Sequence, residues 1–518
     1  MAARQIVNII NFIRAVERYP GTDEDKREAV RNQIRIMDEL SLKGTFLILY
    51  DVFEDEEYMR LMRSLDPERY EIGIWFEIEQ FLCEASGLVW RGKTRWEQYC
   101  DTGYPMGYTK DERKRIIDEF FRRFKAEFGY YPRVFGTWFC DSFTLRYISE
   151  TYGLDAACNC KEQYGTDGYT LWGGYYAQGY YPSSKNIFMP AQKKENQLNV
   201  PVFRMLGSDP VYQYDFGLDV KSEKRAAQKV ITLEPAYPDR GGGCPAWTDW
   251  YFKENFNGEC LSFGYAQAGQ ENCFQWSGMK DGIEYQFPKI AELQKQGKIV
   301  AERLGETGKW YKETFPVTPA SAVTAHGAFD DPGKSSVWYN SRFYRVNLYC
   351  EDGRIWIRDL HAFCETAADP YENTVCETKA AIYETLPVAD GFVLSGHGVR
   401  SGLYLYDKNT GALLACEEMK FTETGEGECA VECGDLRFRL FETGFEIARK
   451  GEFVLKNVIA RTEEHCPAVL SYNEKELRLA YLGIEYGVRL TSGIFRDPMT
   501  VVSENGKVCI ADIGYRIS

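Results

Sequence analysis

The chain has 518 residues, of which 44% are hydrophobic and 27% are charged, and its formal net charge is −15. A chain of this length exceeds the size at which a single hydrophobic core stops growing, so at least two domains are expected. The negative charge argues against a general affinity for nucleic acid or anionic membranes. No apolar stretch approaches the roughly 18 residues that a membrane-spanning helix needs.

The first 300 residues alternate short apolar runs with charged, helix-like stretches. Strands are predicted at 6–12, within 42–53, within 70–81, at 134–138, at 155–160, within 200–215 and within 260–276. Helices are predicted at 23–42, 56–65, 110–128, 143–152, 247–256 and 279–296. Seven repeats of strand then helix, with polar residues where strands end, predict an α/β fold with a (β/α)7-type barrel.

The pattern changes near Pro316. From about Ser335 onward, short alternating strands are separated by glycine, asparagine and aspartate turns, which predicts an all-β antiparallel sandwich. We therefore expect a barrel domain at 1–316 and a sandwich domain at 317–518. No internal repeat or low-complexity linker separates them, so close packing is expected.

The positions of the cysteines and histidines limit which disulfides and metal sites the chain could form. Sixteen cysteines are scattered along the chain, and neither close pair (158/160 and 429/433) has the doubled spacing of a zinc site. The start, MAARQIVNIINF, lacks the order of a signal peptide, so reduced thiols in a cytoplasmic protein are expected. All four histidines follow residue 325. A catalytic zinc in the front half would lack histidine ligands, which is unusual, and we predict no metal or other cofactor.

The stretch VFGTWFCDSFTLRYISETYGLDAACNC (134–160) has the pattern of a βαβ unit. In such folds chemistry gathers where strands end. Asp141 follows the predicted strand end by three residues, beside Trp138 and Phe139, and is our first candidate for catalysis. The same pattern allows Asp141 to be only the N-cap of the following helix.

Several of these motifs resemble the glycoside hydrolase/deacetylase β/α-barrel superfamily over roughly residues 5–310. LKGTFLILYDVF is similar to the "ATFF" second strand of polysaccharide deacetylases, and YEIGIWFE stands in place of their "EIGNH" third strand. FGTWFCDSFTLRYISETYGLDAACNC resembles the family 57 stretch that runs Gly, any residue, Trp, two residues, a carboxylate, a helix and a strand. In family 57 that carboxylate is the nucleophile, a role the resemblance implies for Asp141. The second carboxyl comes from strand seven, where Glu271 matches by position only, because family 57 has aspartate there.

The positions at which this chain departs from the superfamily's motifs distinguish between the metal-dependent and metal-independent branches. Metal-dependent deacetylases carry an Asp-Asp pair on strand one and two histidines after strand three, whereas this chain offers Asn8 and Asn11 and then IWFEIEQF. Family 38 mannosidases also hold zinc with histidines. Of the chemistries found in the superfamily, these departures leave the one that uses carboxyl groups without a metal. Glycoside hydrolysis is such a reaction, because it needs two carboxyl groups flanking the scissile bond.

The predicted site combines carboxyl groups with aromatic rings. Catalytic candidates are Asp141 as nucleophile or base, Glu271 as general acid and Glu77 as a rival. Aromatic rings can stack on the apolar faces of sugars while polar groups bind hydroxyls. On this basis the predicted substrate contacts are Asn11, Trp75, Trp138, Trp172, Tyr175, Asp209, Glu234, Trp247, Gln270 and Trp276. Asp209 and Glu234 are also rivals for the catalytic pair, and the aromatic residues could equally just pack loops onto the barrel.

Two arginines allow two interpretations. Arg14 and Arg204 could bind the carboxylate of a uronic acid or could be structural ion-pair partners, and the structural role is favoured.

The function predicted from the sequence is that of a metal-independent glycoside hydrolase for small oligosaccharides or glycosides. The long loop 164–192 would narrow the barrel mouth to a pocket, which suggests exo-action. No nucleic-acid or membrane partner is expected, and a homo-oligomer is left open. Two alternatives remain, namely a divergent deacetylase-like amidohydrolase whose metal is held by Asp and Glu, and a catalytically silent sugar-binding protein.

Overall fold

The first domain is built on one curved sheet, seen here in a computed structural model that describes residues 3–16, 25–176, 178–222 and 225–515. The strands up to residue 302 are β1 (Arg4–Ile13), β2 (Gly44–Ile48), β3 (Tyr70–Trp75), β4 (Val134–Gly136), β5 (Ala156–Asn159), β6 (Gln163–Thr166), β7 (Tyr169–Trp172), β8 (Gly179–Tyr180), β9 (Pro182–Ser183), β10 (Asn186–Pro190), β11 (Val202–Arg204), β12 (Phe263–Ala268) and β13 (Val300–Glu302). Parallel strands pair in the order β12, β1, β2, β3, β4, β5, β11. These seven strands are the seven predicted ones.

The two ends of this sheet approach each other at a seam between β11 and β12. The short strand β8 adds an antiparallel edge to β11. Across the seam, Gly207 N donates to Gln267 O at 3.2 Å, and Gln178 Nε2 donates to Phe263 O at 2.8 Å. The predicted (β/α)7-type barrel is confirmed as a curled sheet whose seam is bridged by individual hydrogen bonds.

Helices cover the outside and the bottom of the sheet. They are α1 (Lys26–Glu39), α2 (Glu56–Arg63), α3 (Gln80–Ala85), α4 (Lys110–Phe128), α5 (Ser142–Thr151), α6 (Pro245–Asn255), α7 (Gln275–Lys295) and α8 (Leu304–Thr314). Helix α4 has the predicted bounds because a capping box of Thr109 and Glu112 starts it and Gly129, at φ 82°, ends it. The predicted start of α1 at Asp23 lies outside the described residues, and α3 and α8 were not predicted. None of the helices in the described ranges is both long and apolar enough to cross a membrane.

Helix α8 closes the end of the barrel at which the strands begin. Asn8 Nδ2 donates to Thr307 Oγ1 at 2.8 Å, and Gly305 N donates to Glu71 Oε1 at 2.7 Å. Asn8 belongs to β1 and Glu71 to β3, so one helix covers several strand starts. The carboxyl ends of the strands, at the opposite rim, are where a site is expected.

The second domain consists of antiparallel sheets. Its strands are β14 (Ser321–Ala325), β15 (Ser335–Asn340), β16 (Tyr344–Glu351), β17 (Arg354–Ala362), β18 (Ile382–Glu384), β19 (Leu386–Asp390), β20 (Gly402–Asp407), β21 (Lys420–Gly425), β22 (Glu428–Cys433), β23 (Leu436–Phe441), β24 (Gly444–Ala448), β25 (Phe453–Val458), β26 (Ala468–Tyr472), β27 (Glu476–Tyr481), β28 (Ile484–Ser492), β29 (Ile494–Asp497), β30 (Thr500–Val502) and β31 (Lys507–Tyr515). One antiparallel sheet has the order β14, β15, β16, β17, β20, β25, β30, β29, with β19 also paired to β17, and the other has β21, β22, β23, β24, β31, β28, β27, β26. The short strand β18 is the exception, because it pairs in parallel with β7. The predicted antiparallel sandwich is confirmed, and the division at 316/317 stays a prediction.

The thiol prediction is wrong at one pair. Cys416 and Cys433 form a disulfide, with Cα atoms 5.4 Å apart, and the other fourteen cysteines are not in disulfides. The sequence gives no local signal of this pair, because the two cysteines lie 17 residues apart. They meet only when the folded chain brings Cys433, at the end of β22, back to Cys416.

Candidate active site

Arg14, Glu77 and Glu271 meet at the carboxyl ends of three strands. Arg14 follows β1, Glu77 follows β3 and Glu271 follows β12. The guanidinium of Arg14 forms an ion pair with Glu77 and another with Glu271 at 2.7 Å. All three side chains are at most 2% exposed. We call these residues, together with Glu234 and Gln270, the rim cluster.

Glu77 is held by several donors at once. Trp75 Nε1 donates to its Oε1 at 2.9 Å, and Trp96 Nε1 donates to its Oε2. The guanidinium of Arg14 also lies 4.8 Å from the centre of the Trp96 ring, within cation–π range. A carboxyl group that accepts from two indoles and pairs with a guanidinium is held in one orientation, so Glu77 can orient Arg14. A catalytic role for Glu77 stays a prediction.

Glu234 has a different environment within the same cluster. Its Oε2 accepts a hydrogen bond from Thr232 Oγ1 at 2.7 Å and its Oε1 accepts one from Gln270 Nε2 at 3.3 Å. The residue is 4% exposed. Burial raises the pKa of Glu234 to about 7, and the negative charge of Glu271 acts in the same direction. Its partners are a hydroxyl and an amide rather than a cation, so the protonated form persists to neutral pH.

The rim cluster therefore offers two carboxyl groups in contrasting surroundings. Glu271 is paired with a guanidinium, whereas Glu234 is buried and holds a proton up to about pH 7. Two carboxyl groups in different surroundings are the arrangement used for combined acid and base or nucleophile chemistry.

Asp51 fastens the turn that carries Arg14, a role that the sequence analysis missed. Its Oδ2 accepts hydrogen bonds from the backbone N–H groups of Ala15, at 2.9 Å, and Val16, at 2.5 Å. Burial raises the pKa of Asp51 to about 7 despite these bonds and the charge of Arg14. Its position just after β2 was the available sequence signal, because the rim of the barrel collects such residues.

Asp141 is the N-cap of α5. Its Oδ1 accepts from Thr144 N at 3.0 Å and from Arg113 Nη1 at 2.8 Å, and its Oδ2 accepts from Thr144 Oγ1 at 2.7 Å. Burial and the neighbouring Asp141 charge raise the pKa of Asp369, which approaches from the second domain, to about 8. The N-cap interpretation is confirmed, and these contacts do not include the rim cluster. A catalytic role for Asp141 stays a prediction.

Two of the predicted aromatic contacts lie next to the rim cluster. Trp75 stacks on Phe12 with ring centroids 4.2 Å apart, and Trp138 packs edge-on to Trp75 at 5.2 Å. Trp75 is fully buried, whereas Trp138 and Trp96 are partly exposed. Trp96 and Trp138 are therefore aromatic residues next to the rim cluster that solvent can reach.

The other predicted aromatic residues make contacts within the protein. Trp172 Nε1 donates to Asp390 at 2.6 Å, and the Tyr175 hydroxyl bonds Ser321 Oγ at 2.8 Å. Trp247 stacks on Tyr251 at 5.1 Å, and Trp276 packs in the main core at 8% exposure. These contacts account for the four rings by packing, the alternative that the sequence left open.

Asp209 and Asn11 are also engaged locally. Asp209 accepts hydrogen bonds from two backbone N–H groups, at 2.8 Å each, and from Trp247 Nε1 at 3.1 Å. Asn11 Oδ1 accepts from Gln270 N at 3.4 Å, and its amide lies against Met37 of α1. Asn11 thus positions Gln270 rather than facing the carboxyl groups.

One group of potential metal ligands occurs in the described ranges: Asp359, His361 and Asp390. His361 Nε2 lies 3.0 Å from Asp390 Oδ2, and Asp359 makes a two-pronged ion pair with Arg345 at 2.8 Å. Burial alone would raise the pKa of Asp390, but hydrogen bonds from His361, Trp172 and the backbone hold it well below its usual range. Since these oxygens already have donors, the group fits a structural network better than a metal site.

Comparison with known proteins finds a solved structure of similar fold. Neither the protein-family models nor the curated proteins give a match. The chain is similar to the crystal structure of a proposed glycoside hydrolase/deacetylase from Parabacteroides distasonis, with a TM-score of 0.54 and 12% identity over 74% of this chain and 90% of that one. The two chains share their fold. The predicted resemblance is thereby confirmed at the level of the fold.

Other solved structures match with lower TM-scores. A proposed polysaccharide deacetylase from Mycobacterium smegmatis has a TM-score of 0.35 and 11% identity over 61% of this chain and 94% of that one. A GH57-type branching enzyme from Pyrococcus horikoshii has a TM-score of 0.33 and 9% identity over 61% of this chain and 71% of that one.

Proposed function

We propose that the protein is a carbohydrate-active enzyme that hydrolyses glycosidic bonds at the rim cluster. The observation that carries this proposal is the contrast between Glu234, whose pKa is raised to about 7, and Glu271, which is paired with Arg14. Glycoside hydrolysis needs one carboxyl group that donates a proton and another that acts as nucleophile or base. We assign these two roles to Glu234 and Glu271, and their position at one rim of a barrel supports the assignment.

Glu234 is the proposed general acid. It would donate its proton to the glycosidic oxygen as the bond from that oxygen to the anomeric carbon breaks, so that the leaving sugar departs as a neutral alcohol. An acid with a pKa near the working pH is the most effective proton donor. The sequence analysis named Glu234 as a substrate contact and rival catalyst, and gave the acid role to Glu271.

Glu271 is the proposed nucleophile or base on the other side of the bond. As a carboxylate it can stabilise the positive charge that develops at the anomeric carbon and then bond to that carbon or activate a water. Arg14 bridges Glu271 to Glu77 and so sets the direction of the Glu271 carboxylate. The partly exposed rings of Trp96 and Trp138 would form the entrance for small glycosides.

The test is a screen of aryl glycosides with the wild type and with the Glu234→Gln and Glu271→Gln variants. Turnover by the wild type that falls at least about 100-fold in each variant is expected. The matched control is Glu71→Gln, because Glu71 is another carboxyl with a raised pKa but lies at the opposite end of the barrel against α8. The control should keep wild-type turnover.

Two further conditions separate the alternatives. Turnover that EDTA abolishes, or release of acetate from acetylated sugars, would support the deacetylase-like amidohydrolase instead. Sugar binding that survives in both variants, without turnover in the wild type, would support a silent binding protein. Full activity in Glu234→Gln together with a large loss in Asp141→Asn would return the catalytic role to Asp141.

A further inference from the structure

The turn that carries Arg14 is held through its backbone by one buried side chain. Arg14 is the first residue after β1, and its backbone N–H donates to Asn272 Oδ1 at 2.9 Å. Asn272 Nδ2 in turn donates to Arg14 O at 3.0 Å. A primary amide has both donors and an acceptor, so one side chain pairs with both polar groups of the Arg14 backbone.

Asn272 is itself fixed where the chain leaves β12. It directly follows Glu271 and begins a single helical turn, Asn272–Phe274. Its Nδ2 donates a second hydrogen bond, to the Tyr58 hydroxyl of α2 at 2.7 Å. The residue is fully buried. Because its carbonyl meets a backbone N–H and its NH₂ meets two oxygens, only one orientation of the amide satisfies all three partners.

Two consecutive residues therefore hold Arg14 from the end of β12. Glu271 pairs with its guanidinium at 2.7 Å, and Asn272 pairs with its backbone. A parallel bridge between Phe12 and Glu271 joins the same two segments. An arginine side chain has several rotatable bonds, so the place of its guanidinium depends on where its backbone is held.

We propose that Asn272 is a positioning residue of the rim cluster. By holding the backbone of Arg14, it directs the guanidinium to Glu271 and so sets the direction of the Glu271 carboxyl group. Asp51 holds the next two residues of the turn, whereas Asn272 holds Arg14 itself. The effect on catalysis rests on the proposed glycoside hydrolysis, but the placement of Arg14 does not.

Three variants remove different parts of this arrangement. Asn272→Leu keeps the branching at Cγ and removes all three hydrogen bonds of the amide. Asn272→Asp keeps an acceptor for Arg14 N, but as a carboxylate it has no donor for Arg14 O. Tyr58→Phe removes only the bond to the tyrosine hydroxyl and leaves both bonds to Arg14.

The first test locates Arg14 by crystallography of the full chain. In Asn272→Leu we expect the guanidinium to leave Glu271, with a separation above about 4 Å, the limit of an ion pair. The ion pair should remain in Tyr58→Phe. Asn272→Asp should show the same displacement as Asn272→Leu and takes its place if that variant does not fold. An ion pair that is unchanged in the Asn272 variants would overturn the proposal.

The second test separates positioning from a loss of stability. With an aryl glycoside that the wild type hydrolyses, Asn272→Leu should lower kcat about 10–100-fold and change KM less than about twofold. In an Arg14→Met background, Asn272→Leu should change kcat no further, because its effect passes through the guanidinium. The same loss of kcat in both backgrounds, or a change in KM alone, would refute the positioning role.

A buried asparagine in the second domain provides the matched control. Asn347 is also fully buried, and its amide makes three hydrogen bonds, with Ser336, Val337 and Arg358. Asn347→Leu should lower the melting temperature but keep the wild-type kcat, and an equal kcat loss in this control would show a general effect of stability and refute the assignment. If the wild type hydrolyses no aryl glycoside, the proposed function fails, and the crystal structures still decide whether Asn272 places Arg14.

Discussion

The proton held by Glu234 has a measurable consequence for stability. The ordinary pKa of a glutamate is 4.5, and burial raises that of Glu234 to about 7 in the folded chain. A raised pKa means that the folded state favours the protonated carboxyl. The stabilisation is complete below about pH 4.5 and is lost as the pH rises through about 7. A shift of about 2.5 pH units corresponds to about 3 kcal/mol.

Glu234→Gln replaces the carboxyl by a neutral amide of the same shape and removes this titration. From pH 4 to pH 8, the free energy of unfolding of the wild type should fall by about 3 kcal/mol more than that of the variant. Other buried carboxyls with raised pKa values, such as Asp51 and Asp369, occur in both proteins, and their effects cancel in the difference.

The measurement is urea unfolding followed by tryptophan fluorescence at a series of pH values, for both proteins. The same proton should appear in catalysis, with turnover falling above about pH 7 as the general acid ionises. A difference in unfolding free energy that is constant from pH 4 to pH 8 would show that Glu234 titrates normally. In that case it could not serve as the acid near neutrality.

Three further perturbations test other parts of the structure. Arg14→Met leaves two buried carboxyl groups without their shared guanidinium and should lower the free energy of unfolding by about 3–5 kcal/mol. The melting temperature should fall accordingly, and an unchanged melting temperature would contradict the ion pairs of Arg14 with Glu77 and Glu271. Asp141→Asn should lower the free energy of unfolding by about 1 kcal/mol or more, because the N-cap of α5 and the ion pair with Arg113 weaken. Its kcat should be nearly unchanged, and a loss of kcat above about 100-fold would show that Asp141 is catalytic. Intact-mass analysis after alkylation should show two more reactive thiols in a reduced sample than in an unreduced one, and equal alkylation in both samples would exclude the disulfide. Cys416→Ser should lower the free energy of unfolding by about 2–4 kcal/mol.

Local chemistry explains why so much of the fold could be predicted. Helix α4 begins at a capping box and ends at a glycine with positive φ, and both signals lie within a few residues of the ends they define. The seven barrel strands are apolar runs that need burial on both faces, which marks them in the sequence. Helix α8 was missed although it is as long as α6, and its packing partners Asn8 and Glu71 come from strands that are distant in the chain.

The sequence by itself determined the alternation of strands and helices, the antiparallel second domain and the rim at which polar residues gather. Tertiary structure decided which of those residues meet, because Arg14, Glu77 and Glu271 follow β1, β3 and β12, which lie among four successive strands of the sheet but are distant in the chain. It also decided that Glu234 keeps a proton to neutral pH, since a pKa depends on burial and neighbouring charge. Hydrophobic period and capping are local properties of a chain, whereas desolvation and ion pairing exist only once the chain has folded.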